Sequence, residues 1–285
     1  MRVDNLPNLR RPVLVAAFEG WNDAADAASS AARYLHDRWS ACPFADIDPE
    51  EFYDFSSTRP HVRLVDGITR HIDWPSNELS TAQLPGTSRD VVLLLGTEPQ
   101  LRWRTFASEV VGLAGELNLE LVVILGALLA DVPHSRPVRV TGTAADAELV
   151  RRLDLGHSTY EGPTGIVGVL HDAFRKANLP SASLWAAVPH YVAATPSPKA
   201  SLALVRRTAD LLSTSIATSD LETAATDYER QVSEVVASDD DVSEYVSRLE
   251  ASVDEGDQGG DMADMEIPSG DALAAEFERF LRDQP

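Results

Sequence analysis

Cysteine is almost absent from this chain of 285 residues, since Cys42 is the only one. A single cysteine cannot form an intrachain disulfide, and it excludes a zinc site built from several thiolates. Lysine is also scarce: only Lys176 and Lys199 are present, and neither lies in a predicted strand, as the paired lysines of an ATP-grasp site would. No apolar run approaches the roughly 18 residues that cross a bilayer. We therefore expect a cytoplasmic protein that does not enter the membrane.

Several motifs of common enzyme classes are also missing. The chain has no G-x-x-x-x-G-K-[ST] loop, no G-x-G-x-x-G fingerprint and no G-x-S-x-G elbow. These absences argue against a P-loop nucleotide site, a dinucleotide site and a serine hydrolase of the α/β type. The seven histidines show no metal-ligand spacing. We accordingly predict no cofactor and no metal, and we assign no catalytic residue.

Basic residues are fewer than acidic residues, and the excess negative charge is unevenly distributed along the chain. The net charge of −21 divides into −16 for residues 219–285 and −5 for residues 1–218. A nucleic-acid partner is excluded because phosphate contact needs a basic face. The acidic end of the chain is interpreted either as a solubility device or as a docking surface for a basic partner.

The stretch from Val13 to Ala28 predicts a buried strand, a glycine turn and an alanine-rich helix. Its six consecutive apolar residues, 13–18, are typical of a strand covered on both faces, as in a parallel sheet. Gly20 permits the turn, and Asn22 or Asp23 can cap the next helix. The segment predicts an open α/β sheet, which binds ligands at the carboxyl ends of its strands.

The remaining pattern extends this fold class. Predicted strands are 12–18, 52–55, 61–66, 69–74, 91–96, 121–126, 137–141 and 183–188, and predicted helices are 22–39, 98–118, 144–152 and 163–178. Their alternation predicts an α/β fold with a mostly parallel sheet sandwiched by helices. Asp66-Gly67 lies between two alternating stretches and predicts an antiparallel hairpin.

The chain becomes wholly helical after residue 195, and we divide it accordingly. Residues 1–195 form the predicted α/β core, 196–253 a helical appendage, 254–268 an acidic linker and 269–285 a C-terminal amphipathic helix. Ser197-Pro198 begins the appendage. The heptad spacing from Leu221 to Val253 skips one position at Asp239, which favours two antiparallel helices over one long coiled-coil strand.

Polar clusters follow several strands and define a candidate crevice at one sheet edge. Glu19 and Glu98 form a candidate carboxylate pair, with His134 or His190 as acid or base; the alternative is that these residues shape turns. The Gly-rich stretch from Gly162 through Gly165 begins a predicted helix. Either its backbone amides hold an anion, or its glycines allow the helix to pack closely on the sheet. The candidate crevice residues are Glu19, Gly20, Trp21, Asn22, Asp23, Arg59, Glu98, Asp131, His134, Arg136, Gly162, Gly165, His190 and Tyr191.

Taken in order, these motifs resemble the proteasome assembly chaperone 2 family in its actinobacterial branch. The resemblance covers roughly residues 10–250 and rests on six motifs rather than on any one of them. The motifs are Phe18 to Ala24, Asp54 to Pro60, Glu98 to Trp103, Gly126 to Pro137, Tyr160 to Gly165, and Val188 to Tyr191.

The resemblance implies a sheet sandwich like that of the purine nucleoside phosphorylases, with a helical C-terminal appendage. It also implies a homo-oligomer, for which we expect a trimer, and a proteasome-related role in binding or assembling other proteins. In the eukaryotic members, the role that the resemblance implies is the chaperoning of proteasome α-ring assembly. No catalytic residue comes with it. Our leading hypothesis is therefore a non-enzymatic assembly-chaperone-like protein. The alternatives are a small-ligand protein or enzyme for a nucleoside- or carboxylate-type ligand, and a structural oligomer whose crevice is a subunit contact.

Overall fold

A computed structural model describes residues 1–144, 146–156, 161–192 and 196–256. The strands are β1 (Arg2–Val3), β2 (Val13–Glu19), β3 (Cys42–Ile47), β4 (His61–Val65), β5 (Thr69–Asp73), β6 (Asn77–Gln83), β7 (Asp90–Thr97), β8 (Leu121–Ala130), β9 (Val140–Ala144) and β10 (Ser181–Pro189). The helices are α1 (Ala27–Arg38), α2 (Trp103–Glu116), α3 (Ala147–Leu153), α4 (Ile166–Lys176), α5 (Pro198–Leu212), α6 (Ser219–Val236) and α7 (Asp240–Gly256). Short 3-10 turns occur at Ala24–Asp26, Pro49–Glu51 and His190–Val192.

Eight strands form one mixed sheet in the order β1-β3-β6-β7-β2-β8-β10-β9. The four central strands β7, β2, β8 and β10 are parallel, and antiparallel strands extend the sheet on both sides. The predicted α/β class is thus confirmed, with the parallel pairing concentrated at the centre. The carboxyl ends of these four strands form what we call the carboxyl edge.

Helices cover both faces of the sheet, which explains the unbroken apolar run of β2. Val13 and Val15 face a core shared with α1 and α5, whereas Leu14 and Phe18 face a core shared with α2 and α4. Each large apolar side chain buried in this way contributes roughly 1.5–3 kcal/mol. The two cores fix the sheet as the middle layer of a three-layer sandwich, and the carboxyl edge stays at its rim.

Three strands, β1, β3 and β6, were missed, and one strand was predicted wrongly. Residues 52–55 are not a strand, because Phe52 and Tyr53 are buried side chains that follow the Pro49–Glu51 turn. The strands β3 and β6 carry mixed polar and apolar residues, and β3 changes register between Pro43 and Ala45. The predicted strand 137–141 lies later, as β9, and helix 22–39 begins regularly at Ala27.

The predicted hairpin and the predicted helix starts at Ser197 and Asp239 are confirmed, whereas the predicted helices 98–118 and 163–178 begin later, at Trp103 and Ile166. The strands β4 and β5 pair antiparallel around Asp66 and Gly67, both of which have positive φ. Ser197 caps α5 by accepting the N–H of Ala200 at 3.3 Å. Asp239 accepts the N–H groups of Asp241 and Val242, so the heptad region is two helices rather than one.

The helices after β10 pack in two different places. The helix α5 contributes Leu204 and Val205 to the sheet core. The helices α6 and α7 share a separate small apolar cluster that includes Tyr228, Val232 and Val246. The predicted C-terminal helix 269–285, and the predicted linker beyond Gly256, lie outside the described residues. In the described ranges, no helix is both long enough and apolar enough to cross a membrane.

Candidate functional site

The carboxyl edge brings most of the predicted site residues together, but in two separate groups. One group follows β2 and β7 and contacts the start of α4. The other follows β8 and β10 and contacts α6 and α7. Arg59 and Gly162 are exposed in loops outside both groups.

Glu98 is the centre of the first group. Its Oε1 accepts the Nδ2 group of Asn22 at 3.1 Å and the backbone N–H of Ile166 at 2.8 Å. Its Oε2 accepts the backbone N–H of Trp21 at 3.3 Å, and its own N–H donates to the carbonyl of Glu19 at 2.8 Å. A carboxylate is favoured at a helix N-terminus. The chain's own side chain therefore occupies the anion position that the Gly-rich stretch predicted.

Two glycines allow this close arrangement. Gly20 has φ +130°, and a Cβ there would lie 3.2 Å from the Cβ of Glu98. A Cβ on Gly165 would collide with the Asn22 amide and lie 2.6 Å from Glu98 Oε1. The glycines thus serve contact between the turn after β2 and the start of α4.

Glu19 and Asp23 are each held by other parts of the chain. Glu19 forms an ion pair with Arg33 of α1, and Thr97 Oγ1 donates to its Oε2 at 3.4 Å. Asp23 Oδ1 accepts the N–H groups of Ala28 at 2.7 Å and Ser29 at 3.1 Å, which caps α1. Burial raises the pKa of the Asp23 carboxyl above its ordinary value, against the effect of the Ser29 bonds. Both side chains therefore have structural partners.

His134 is the centre of the second group. Its backbone N–H donates to Tyr191 Oη at 2.8 Å, and the Tyr191 hydroxyl lies 2.9 Å from His134 Nδ1. His134 Nε2 lies 3.0 Å from Ser233 Oγ, whose hydroxyl donates to the carbonyl of Glu229 at 2.7 Å. This order of donors assigns the neutral Nε2–H tautomer. Burial, with Lys199 second, lowers the pKa of His134.

Polar contacts fasten the loop after β8 to α7. Asp131 lies 3.0 Å from His190 Nδ1 and accepts the hydroxyl of Tyr245 at 3.1 Å. Arg136 forms a two-point ion pair with Asp254, at 2.8 and 2.7 Å. The rings of His134, His190, Tyr191 and Tyr245 contact one another edge to face, at centroid distances of 5.6–6.2 Å.

The second group is accordingly covered by the chain's own helices. Lys199 Nζ adds a bond to the carbonyl of His134 and an ion pair to Glu229, both at 2.5 Å. Sequence reasoning missed the residues that complete the two groups, namely Arg33, Lys199, Ser233, Tyr245, Glu250 and Asp254. No local motif marks them, because each partner is distant along the chain.

The edge beside the first group carries exposed apolar side chains. Every residue from His61 to Ile72 is exposed. Cross-strand pairing places Val62 opposite Ile72 and Leu64 opposite Arg70, so these four residues share one face of the hairpin, which we call the hairpin face. Trp21, at the turn after β2, is 65% exposed. Exposed apolar patches of this kind mark interaction surfaces.

Surface cavities occur away from the carboxyl edge. Two surface cavities, of about 500 and 300 Å³, are lined respectively by the N-terminal segment with the end of α2, and by α5 with α6. Within the described part of the chain, no cluster of three or more His, Cys, Asp or Glu residues is placed to hold a metal ion. The carboxyl edge thus presents an apolar projection beside packed polar groups.

Comparison with known proteins gives a consistent result. The model of the PAC2 family matches residues 17–236. The chain is similar to the crystal structure of a PAC2 family protein from Streptomyces avermitilis, with 49% identity, coverage of 82% of this chain and 99% of that chain, and a TM-score of 0.77.

Two further structures extend the likeness. The Mycobacterium tuberculosis proteasome-assembly chaperone homologue Rv2125 is 49% identical over 82% of this chain and 99% of that chain, with a TM-score of 0.76. PbaB from Pyrococcus furiosus, an archaeal proteasome activator, is 16% identical over 82% and 97%, with a TM-score of 0.67, and supports the fold alone. A search of the curated proteins finds no match. The family model and the two relatives at 49% identity show that the chain belongs to the PAC2 family.

Proposed function

We propose that this chain is a non-enzymatic protein-binding protein with a proteasome-related assembly role. Its relative from Mycobacterium tuberculosis is described as a proteasome-assembly chaperone homologue, and that description motivates the choice of partner. The observation that carries the proposal is the hairpin face, where Val62 is 57% and Leu64 is 60% exposed. The described residues leave this ribbon exposed to water, and a partner that covered it would gain apolar contact area.

The proposed binding mode is contact between the hairpin face and a proteasome α-type subunit. Ile72 and Leu64 supply apolar area, and Arg70, opposite Leu64 near the turn end of the hairpin, supplies a positive charge. Arginine beside apolar anchors is a common composition of protein interfaces. Trp21, at the same edge, adds a second exposed anchor.

The small-ligand alternative has less support from the geometry. Both carboxylate oxygens of Glu98 accept hydrogen bonds from the chain's own groups, and Glu19 is paired with Arg33. A ligand at this point would have to displace the N–H of Ile166 and the amide of Asn22. In the second group, His134 is likewise engaged at both ring nitrogens.

Native mass spectrometry of the full chain, alone and mixed with proteasome α-type subunits of the same organism, tests the proposal. We also propose that the chain forms a homotrimer. We propose a cytoplasmic location because a chain with a single cysteine fits a reducing compartment. We expect a trimer mass without a bound small molecule, and a new species containing α-type subunits in the mixture. A stoichiometric small molecule at the edge, together with no mixed species, would contradict the proposal and favour the ligand alternative.

A further inference from the structure

We infer that the C-terminal segment of the chain, residues 271–283, docks on the hairpin face of the same chain. The hairpin face is apolar but carries Arg70, for which the described residues supply no ion-pair partner. The docking segment, residues 271–283, has four acidic and two basic residues and a net charge of −2, and the whole stretch beyond Gly256 has a net charge of −6. The segment is therefore an acidic occupant for a face whose one charged side chain, Arg70, is positive.

The sequence of the segment matches the hairpin face in pattern as well as in charge. Leu273, Phe277, Phe280 and Leu281 recur at spacings of three and four residues, as on one side of a helix. On the same helical projection, Glu276 and Asp283 border that apolar side. Glu276 and Asp283 would then meet Arg70 when the apolar side covers Val62, Leu64 and Ile72.

The dimensions of the two surfaces agree. Thirteen residues of helix are about 20 Å long and about 10 Å wide. Five-residue strands are about 17 Å long, and two paired strands with their side chains are about as wide as one helix. One helix therefore covers the ribbon formed by β4 and β5 without leaving either end uncovered.

The chain is long enough to bring the segment to the hairpin. The helix α7 ends beside Arg136, in the loop that joins β8 to β9, and the hairpin leads into β6 at the same carboxyl edge. The distance from β9 to β6 is five strand spacings, about 24 Å. Residues 257–270 span up to about 46–50 Å when extended, so docking within one chain is within reach.

Docking at this place would regulate the proposed function, because the segment and a partner would compete for the same face. That competition rests on the proposed function, whereas the docking itself does not. A segment of the same chain is present at millimolar effective concentration. A partner would therefore have to displace it, and weakening the segment would strengthen partner binding.

Photo-crosslinking in the full-length chain tests the docking. The residue p-benzoylphenylalanine replaces Ile72 on the hairpin face and, as the matched control, His71 on the opposite face of the same strand. We expect crosslinks from position 72 to peptides within 271–283, at least fivefold more than from position 71. Equal yields from both positions, or no crosslink to 271–283, would overturn the inference.

Two extensions separate the remaining possibilities. In a mixture of unlabelled and ¹⁵N-labelled chains, we expect crosslinks only within one isotope; mixed-isotope crosslinks would overturn same-chain docking and assign the face to a second copy. Arg70→Glu should lower the yield at least fivefold, and Arg70→Glu combined with Glu276→Arg should restore it. Failure of the combined variant to restore the yield would contradict the charge pairing.

The proposed function is tested separately on the same preparations. Phe277→Asp should raise the affinity for proteasome α-type subunits at least threefold by releasing the hairpin face. Crosslinking to 271–283 without any binding of α-type subunits would leave the docking established and contradict the proposed function. Binding of α-type subunits without this crosslink would support the proposed function and contradict the docking.

Discussion

The carboxylate of Glu98 accepts the backbone N–H of Ile166 at 2.8 Å, so a side chain at the end of β7 caps the first turn of α4. The same Oε1 accepts the amide of Asn22. The Glu98 carboxylate thus joins the turn after β2 to α4, a helix that begins 68 residues after Glu98. Glu98, which the sequence suggested as one member of a carboxylate pair, thus holds the turn after β2 against the start of α4.

Replacing Glu98 should therefore change stability. Glu98→Ala removes a helix cap and leaves Asn22 and Trp21 without their acceptor, and we expect a loss of about 1–3 kcal/mol in the free energy of unfolding. Glu98→Gln keeps an acceptor without the charge and should lose less. Urea unfolding followed by circular dichroism measures both. Equal stability of Glu98→Ala and the parent chain would contradict the structural role.

Gly165 offers a second test of the same contact. In Gly165→Ala, the new Cβ collides with Asn22 and Glu98, which should cost about 1–3 kcal/mol. Gly112→Ala, in the open and exposed part of α2, is the matched control and should stabilise the chain by up to about 1 kcal/mol. Thermal unfolding of the two variants should shift in opposite directions. A shift in the same direction would contradict the close packing.

These contacts define what the sequence could predict. The strands β2, β7 and β8 are recognisable because both faces are buried, which requires continuous apolar runs such as Val91 to Leu95. By contrast, β6 carries the polar residues Asn77 and Ser80 at buried positions, so its sequence does not resemble a buried strand. Its extended conformation is stabilised by antiparallel pairing with β7, which no local sequence pattern reveals. Phe52 is buried against Phe106 by ring packing and not by strand pairing.

The sequence could predict which residues lie at the carboxyl edge, because the sheet topology places them there, but it could not predict their partners. Parallel strands place Glu19 and Glu98 at one edge, and the sequence shows this through the polar residues that follow each run. The partners of these residues depend on tertiary packing. Ser233 lies 99 residues beyond His134 in the chain, and no local pattern associates the two. The division of the edge into two groups therefore required the structure.

Acid should destabilise the chain through His171. Burial lowers the pKa of His171 from its ordinary 6.5 to about 4, while His171 Nδ1 lies 2.9 Å from Ser181 Oγ. The unfolded chain binds this proton at a higher pH than the folded chain does. The contribution is therefore complete above about pH 6.5 and is lost as the pH falls toward 4, by about 3 kcal/mol at most.

The variant His171→Asn keeps a polar atom near Ser181 but does not titrate. We expect it to flatten the decline in the free energy of unfolding between pH 6.5 and 4. The decline that remains is due to His134, whose pKa is also lowered, and to carboxyls such as Glu120, whose pKa lies below its ordinary value. His61→Gln, on the exposed hairpin, is the control and should keep the full decline. Urea unfolding at half-unit pH intervals measures the slopes. Identical slopes in all three chains would contradict the assignment.

Arg136 should control how firmly α7 is held. Its ion pair with Asp254 is exposed, so Arg136→Ala should change global stability little. Hydrogen exchange of α7 amides should nevertheless become about three- to tenfold faster, because the pair joins α7 to the loop after β8. Arg230→Ala removes ion pairs to Asp227 and Glu234 within α6 alone and should leave α7 unchanged. Equal effects of the two variants would refute the fastening role.

The most direct test of the account is the affinity of the full chain for proteasome α-type subunits, measured for Leu64→Asp and Thr69→Asp. Both substitutions add one negative charge to the same hairpin, but Leu64 belongs to the hairpin face and Thr69 to the opposite face. We expect at least a tenfold loss of affinity for Leu64→Asp, equivalent to about 1.4 kcal/mol, and less than a twofold change for Thr69→Asp. Equal affinities for both variants and the parent chain would contradict the hairpin face as the binding surface.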